Sequence, residues 1–141
     1  MNSRNLMTAI AIVTGLVGVA SLIVPAQITS QVFPSLALGE EAMMVGVFHR
    51  QVVGGCILIA SIYCWFMRDA EQVIASRFLF ATGLAFSLNA LVLIKASIID
   101  GVTGLPYPPF IILVIFAIAS FYVSKKASCL LYTSPSPRDR G

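Results

Sequence analysis

The residues best suited to chemistry in this chain are Glu40 and Glu41, then His49, Arg50 and Gln51, all within twelve positions, and Asn89 and Lys95 farther along. Arg50 lies inside a long apolar run, and Asn89 lies inside the next. A charge within such a run costs on the order of 3 kcal/mol on membrane-insertion scales, so it is expected to be paired or to snorkel toward water. Glu41 is the natural partner for Arg50. Antiparallel packing of the two runs would bring Asn89 to the depth of Arg50. Glu41, His49, Arg50, Asn89 and Lys95 therefore form the candidate polar site. Its two readings are a substrate or proton site within a helix bundle, and a polar clamp beneath the interface.

Other chemistries find less support. His49 is the only histidine, which rules out bis-histidine haem ligation and leaves a pH-sensing or interfacial role. Cys56 and Cys64 are eight residues apart, roughly 12 Å along a helix, which is too far for a disulfide. Both read as buried small hydrophobes. The sequence contains no Cys-x-x-Cys pair, no Gly-rich phosphate loop and no Ser-His-Asp set, so no catalytic residue, cofactor or metal is expected.

The elements that must position the polar site are four apolar runs, at 6–24, 45–67, 73–94 and 107–123. About 20 apolar residues in a helix cross a hydrocarbon core of about 30 Å. Hydrophobic residues make up 58% of the chain and charged residues 11%, and the mean hydropathy is +0.93. Soluble domains carry about 25% charged residues. None of the runs offers the charged outer face of a soluble helix, and none alternates like a barrel strand. The expected fold is all-α, a transmembrane four-helix bundle forming one domain over 1–128.

The first run exceeds the usual length of a signal-peptide core and is expected to be retained as a span that stops at Pro25. Gln27–Leu38 mixes polar and apolar residues and is expected to lie along the interface. Arg68–Gln72 reads as a tight turn with local ion pairs, too short and too balanced in sign for a nucleic-acid surface. Ser97–Pro106 reads as a loop. Arg4, Arg68, Arg77, Lys125 and Lys126 fall on one side, and Arg50 and Lys95 on the other. This asymmetry predicts both termini in the cytoplasm. Trp65, Tyr107 and Tyr122 suit interfacial belts. Ala11, Gly15 and Gly18 in the first run, Gly46, Gly54 and Gly55 in the second, and Ala81 and Ala85 in the third offer small-residue packing faces. Thr82 and Asn89, seven apart, are expected to point into the bundle.

The last residues are of a different kind. Cys129–Asp139, read codon by codon, resembles the in-frame translation of a common transposase-based sequencing adapter. The segment 129–141 is therefore expected to be non-native and no part of the fold. Without it the formal charge falls from +3 to +2.

Arg50-x-x-x-Gly54, the string Trp65-Phe66-Met67-Arg68-Asp69-Ala70-Glu71, Arg77 and Asn89 together resemble small four-span bacterial membrane proteins of DoxX-like architecture. His49 stands where that pattern has a small residue. The resemblance covers about residues 6–123 and implies a four-helix bundle in a bacterial inner membrane, with no assigned activity. The expected role is a non-enzymatic accessory or structural membrane protein, its partners being the lipid bilayer and either further copies of the chain or a larger membrane complex. The rival is an oligomeric small-molecule or ion transporter that uses the polar site. A membrane redox or lipid-modifying enzyme is a third reading, which lacks ligand and nucleophile sets.

Overall fold

The computed structural model describes residues 2–32, 39–100 and 106–132, the side chains of 127–132 excepted. The described residues contain helices and no strand: α1 (Ser3–Ile23), α2 (Pro25–Val32), α3 (Glu40–Met67), α4 (Gln72–Ile94), a π-helical turn (Lys95–Ile99) and α5 (Tyr107–Tyr132). Four of them, α1, α3, α4 with its π turn, and α5, are long and apolar enough to cross a membrane.

The local signals account for the helix boundaries. Asn2 caps α1, its side chain accepting from the Arg4 N–H at 3.4 Å. Pro25 has no N–H, so it cannot serve the Ser21 carbonyl four residues back, and α1 stops at Ile23. Helix restarts at once with proline in its first position, the place where the missing donor costs least. α3 opens with Glu40 and Glu41, which complement the positive end of the helix dipole. Between α3 and α4 lie four residues, tightened by the Ala70 N–H donating to the Met67 carbonyl. α5 opens on Tyr107, Pro108 and Pro109, with the Phe110 N–H reaching the Pro106 carbonyl.

Packing divides the molecule into two antiparallel hairpins. α1 lies along α3, and α4 lies along α5. In the first pair the contacts run from Ala11 with Ser61, through Gly18 with Leu58 and Gly54, to Ser21 with Gly54. Thr29 of α2 against Gly46 continues the same register, so α2 prolongs α1 along α3 beyond the break. In the second pair Ser76 meets Ser124, Phe80 meets Phe121 and Phe86 meets Phe116. The hairpins join through α1, whose Leu6, Met7, Ile10 and Ala11 share one core with Cys64, Ala75, Leu79 and Val123. That core sits at the end holding the start of α1 and the α3–α4 turn. α3 and α4 themselves make no extended contact, although only a short turn connects them.

Close approach of α1 and α3 depends on their small residues. A Cβ placed on Gly18 would lie 3.0 Å from the Gly54 carbonyl oxygen, and one on Gly54 would lie 2.8 Å from the Ser21 Cβ. With the backbones this near, the Ser61 hydroxyl donates to the Ala11 carbonyl at 2.7 Å across the seam. Elsewhere large apolar side chains face outward, Leu16 and Phe48 at 68% and Phe66 at 76% exposure among them. A soluble monomer rarely leaves so much contiguous apolar surface uncovered.

Several expectations change here. Pro25–Val32 is helix packed on α3, where an interfacial stretch was expected from Gln27; the rest of that stretch, 33–38, lies outside the described residues. Helix runs through Ile99, into the expected loop, because the π turn is closed by the Asp100 N–H donating to the Lys95 carbonyl. The backbone of α5 continues to Tyr132, past the predicted end at Val123 and into the adapter-like segment, the remainder of which lies outside the described residues. Ala81 and Ala85 are exposed, and it is Gly83 that meets α5, through Phe121. Gly55 has nothing within 4 Å of a Cβ position. Cys64 is buried as expected, but Cys56 is exposed, since it sits off the face that α3 turns to α1. Neither cysteine is in a disulfide.

Candidate functional site

The predicted polar residues do not come together. Arg50 belongs to the first hairpin, and Asn89 and Lys95 belong to the second. With α3 and α4 unpacked, the register that would have placed Asn89 beside Arg50 does not exist. Asn89 is exposed rather than turned into the bundle, while Thr82 is half-buried and donates to the Phe78 carbonyl of its own helix at 2.8 Å. Lys95 pairs with Asp100, which the π turn brings beneath it by its five-residue spacing. Glu41 and His49 are exposed near the start of α3. No ion pair joins Glu41 to Arg50 among the described residues.

What remains is Arg50, in a setting the sequence did not disclose. Gly46, Arg50 and Gly54 are four apart and line one stripe of α3. Gly46 touches Thr29 of α2, and Gly54 touches Ser21 of α1. The register of those contacts sets Arg50 level with the break at Val24 and Pro25. Its side chain is half-buried, and its Nε is fully enclosed with no hydrogen-bond partner. The break leaves the Ser21 carbonyl without its helical donor on the same stretch of α1. A guanidinium is a pure donor and keeps its proton, so this arrangement can hold an anion or a carbonyl, and it cannot act as a general base. The residues missed were Ser21 and Thr29, which meet Gly54 and Gly46 of this stripe from either side of the Pro25 break. Their sequence signal was Pro25 itself, read as a stop when it also starts a helix that keeps the same partner.

A second polar group closes the opposite end of the molecule. Asp69 in the α3–α4 turn forms an ion pair with Arg4, Nε to Oδ1 at 3.1 Å, and accepts a hydrogen bond from Arg68 Nε at 3.2 Å. Arg68 also stacks over Trp65, its guanidinium carbon 3.6 Å from the ring centre. These groups are the local ion pairs expected of the turn, with Arg4 added from α1. They tie the start of α1 to the turn and leave no free carboxylate of Asp69 for chemistry. No group of three or more His, Cys, Asp or Glu side chains able to hold a metal occurs among the described residues.

Comparison with known proteins gives no further direction: no family model matches the chain, and no curated protein and no solved structure matches it significantly.

Proposed function

We propose that this chain is a multi-pass integral membrane protein with both termini in the cytoplasm, serving as a non-enzymatic accessory or structural component. The observation that carries the reading is the outward display of large apolar side chains along four span-length helices. Lipid satisfies such faces, whereas water does not. Orientation rests on the charge asymmetry: Arg4, Arg68, Arg77, Lys125 and Lys126 gather at the end where α1 begins and α5 has crossed. A bacterial inner membrane, and a place among DoxX-like proteins, rest on the sequence resemblance alone.

The transporter reading retains one favourable observation, the enclosed Arg50 Nε beside a helix break. Broken helices with unsatisfied backbone are a common way to build a site at membrane depth. It loses the convergence with Asn89 and Lys95 on which it first stood.

The test has two stages. Resistance of the protein to alkaline carbonate extraction supports the membrane reading, and release into the supernatant overturns it. Purification in mild detergent then separates the roles. Recovery in a larger complex supports an accessory subunit. A lone monodisperse species that moves solute in a liposome flux assay, and stops doing so as Arg50→Ala, replaces it with transport.

A further inference from the structure

We propose that the seam between α4 and α5, on the side away from α1, binds an anionic phospholipid, its phosphate held between Arg77 and Lys125 and its acyl chain lying on Phe80 and Phe121. The inference rests on the membrane reading above and adds a specific site to it.

The seam is fixed by two serines. Ser76 Oγ donates to the Ser124 carbonyl at 3.1 Å, and Ser124 Oγ donates to the Ser76 carbonyl at 2.9 Å. These residues therefore face each other directly. Each next residue is turned by about 100° around its helix. Because α4 and α5 are antiparallel, the two rotations carry Arg77 and Lys125 to the same side of the seam. The opposite side is taken by Ala75, Leu79 and Val123, which pack into the core against Leu6, Met7 and Ile10 of α1. Arg77 and Lys125 are both exposed, as that geometry requires.

One turn deeper on the same side, Phe80 and Phe121 form an edge-to-face pair with ring centres 5.6 Å apart. Phe80 remains 51% exposed despite that contact. Gly83 lets Phe121 lie close to α4, since a Cβ there would be 2.9 Å from the ring. Leu84 and Ile118 continue the exposed apolar surface inward. The result is two cations above an exposed apolar surface that begins one turn below, the sequence of chemistries along a phospholipid.

Charge decides which lipid. Of the other cations at this end, Arg4 and Arg68 pair with Asp69, and Lys126, two residues past Ser124 and so turned about 200° from it, points away from the seam. Arg77 and Lys125 form no ion pair among the described residues. Two uncompensated cations favour a headgroup that keeps its net negative charge over a zwitterionic one.

The experiment is lipid titration of the detergent-purified protein followed by native mass spectrometry, with phosphatidylglycerol and phosphatidylcholine of identical acyl chains. The expected result is selective retention of one phosphatidylglycerol. R77Q and K125Q each lower its retention about fivefold, the effect of one basic residue at a membrane surface, and R77K restores it. F80A weakens both lipids alike, and raising salt weakens only phosphatidylglycerol. Equal retention of the two lipids by the wild type overturns the proposal, and so does unchanged selectivity in a folded R77Q/K125Q double variant. Displacement by glycerol 3-phosphate alone would show a phosphate site with no acyl groove and overturn it as well. If the glutamines prevent folding, the salt dependence and F80A decide the matter in otherwise intact protein. A protein that resists carbonate extraction but shows no lipid selectivity leaves the membrane reading standing and removes only this site.

Discussion

Gly54 and Gly55 are neighbours in sequence and opposites in packing, and comparing leucine at each measures the α1–α3 contact directly. At Gly54 the first added carbon would sit 2.8 Å from the Ser21 Cβ and 3.1 Å from the Gly18 carbonyl oxygen. Carbon atoms in contact prefer about 3.5–4.0 Å, so the helices must part by roughly 1 Å for the Cβ alone, and by more for the rest of the side chain. Overpacking of this kind costs about 1–3 kcal/mol. Separation also stretches the bond from Ser61 to the Ala11 carbonyl, now 2.7 Å, and interhelical hydrogen bonds in membranes average about 0.6 kcal/mol. Gly54→Leu is therefore expected to lose about 2–4 kcal/mol. At Gly55 nothing lies within 4 Å, so Gly55→Leu projects into open space that the micelle fills in the assay. Both variants gain the same helix propensity, about 1 kcal/mol, which cancels in the comparison. The assay is reversible unfolding in mixed micelles followed by helical circular dichroism. If the two variants unfold within ~0.5 kcal/mol of each other, the usual scatter of such differences, the close approach of α1 and α3 is wrong.

The reciprocal serine pair should show coupling: Ser76→Ala and Ser124→Ala each cost about 0.6–1.7 kcal/mol, and the double variant costs less than their sum in a double-mutant cycle. Removing Asp69 as D69N is expected to cost under about 1 kcal/mol, with the loss vanishing at high salt, because Asp69 and Arg4 are solvent-exposed and Arg68 is only partly covered; a salt-independent loss would refute a surface role. Arg50→Leu should leave thermal stability in detergent unchanged or raised, since the enclosed Nε has no partner to lose. A drop of more than about 1 kcal/mol, the worth of a typical hydrogen bond, would mean that the guanidinium already serves the helix break.

Helix existence and extent were legible because they follow from composition and a few local stops. An uninterrupted apolar run must be helical in lipid, Pro25 removes a donor, and Arg68–Glu71 cannot be buried, so the predicted 73–94 and the observed α4 at Gln72–Ile94 nearly coincide. The clustering of Arg4, Arg68, Arg77, Lys125 and Lys126 at one end also follows from counting alternate helix ends. Pairing did not follow. Any two adjacent apolar helices look equally able to pack, and a hairpin of α3 and α4 was the simplest guess from their short turn. The tertiary structure chose otherwise because backbone approach is decided by where small residues of two helices coincide in register. Gly18 with Gly54 and Ser76 with Ser124 do so, whereas Ala81 and Ala85 find no partner. That choice sent Asn89 and Lys95 away from Arg50 and set Arg50 opposite the Pro25 break. It also set Ser76 against Ser124, which by helix rotation carries Arg77 and Lys125, 48 positions apart, to the same side of the α4–α5 seam.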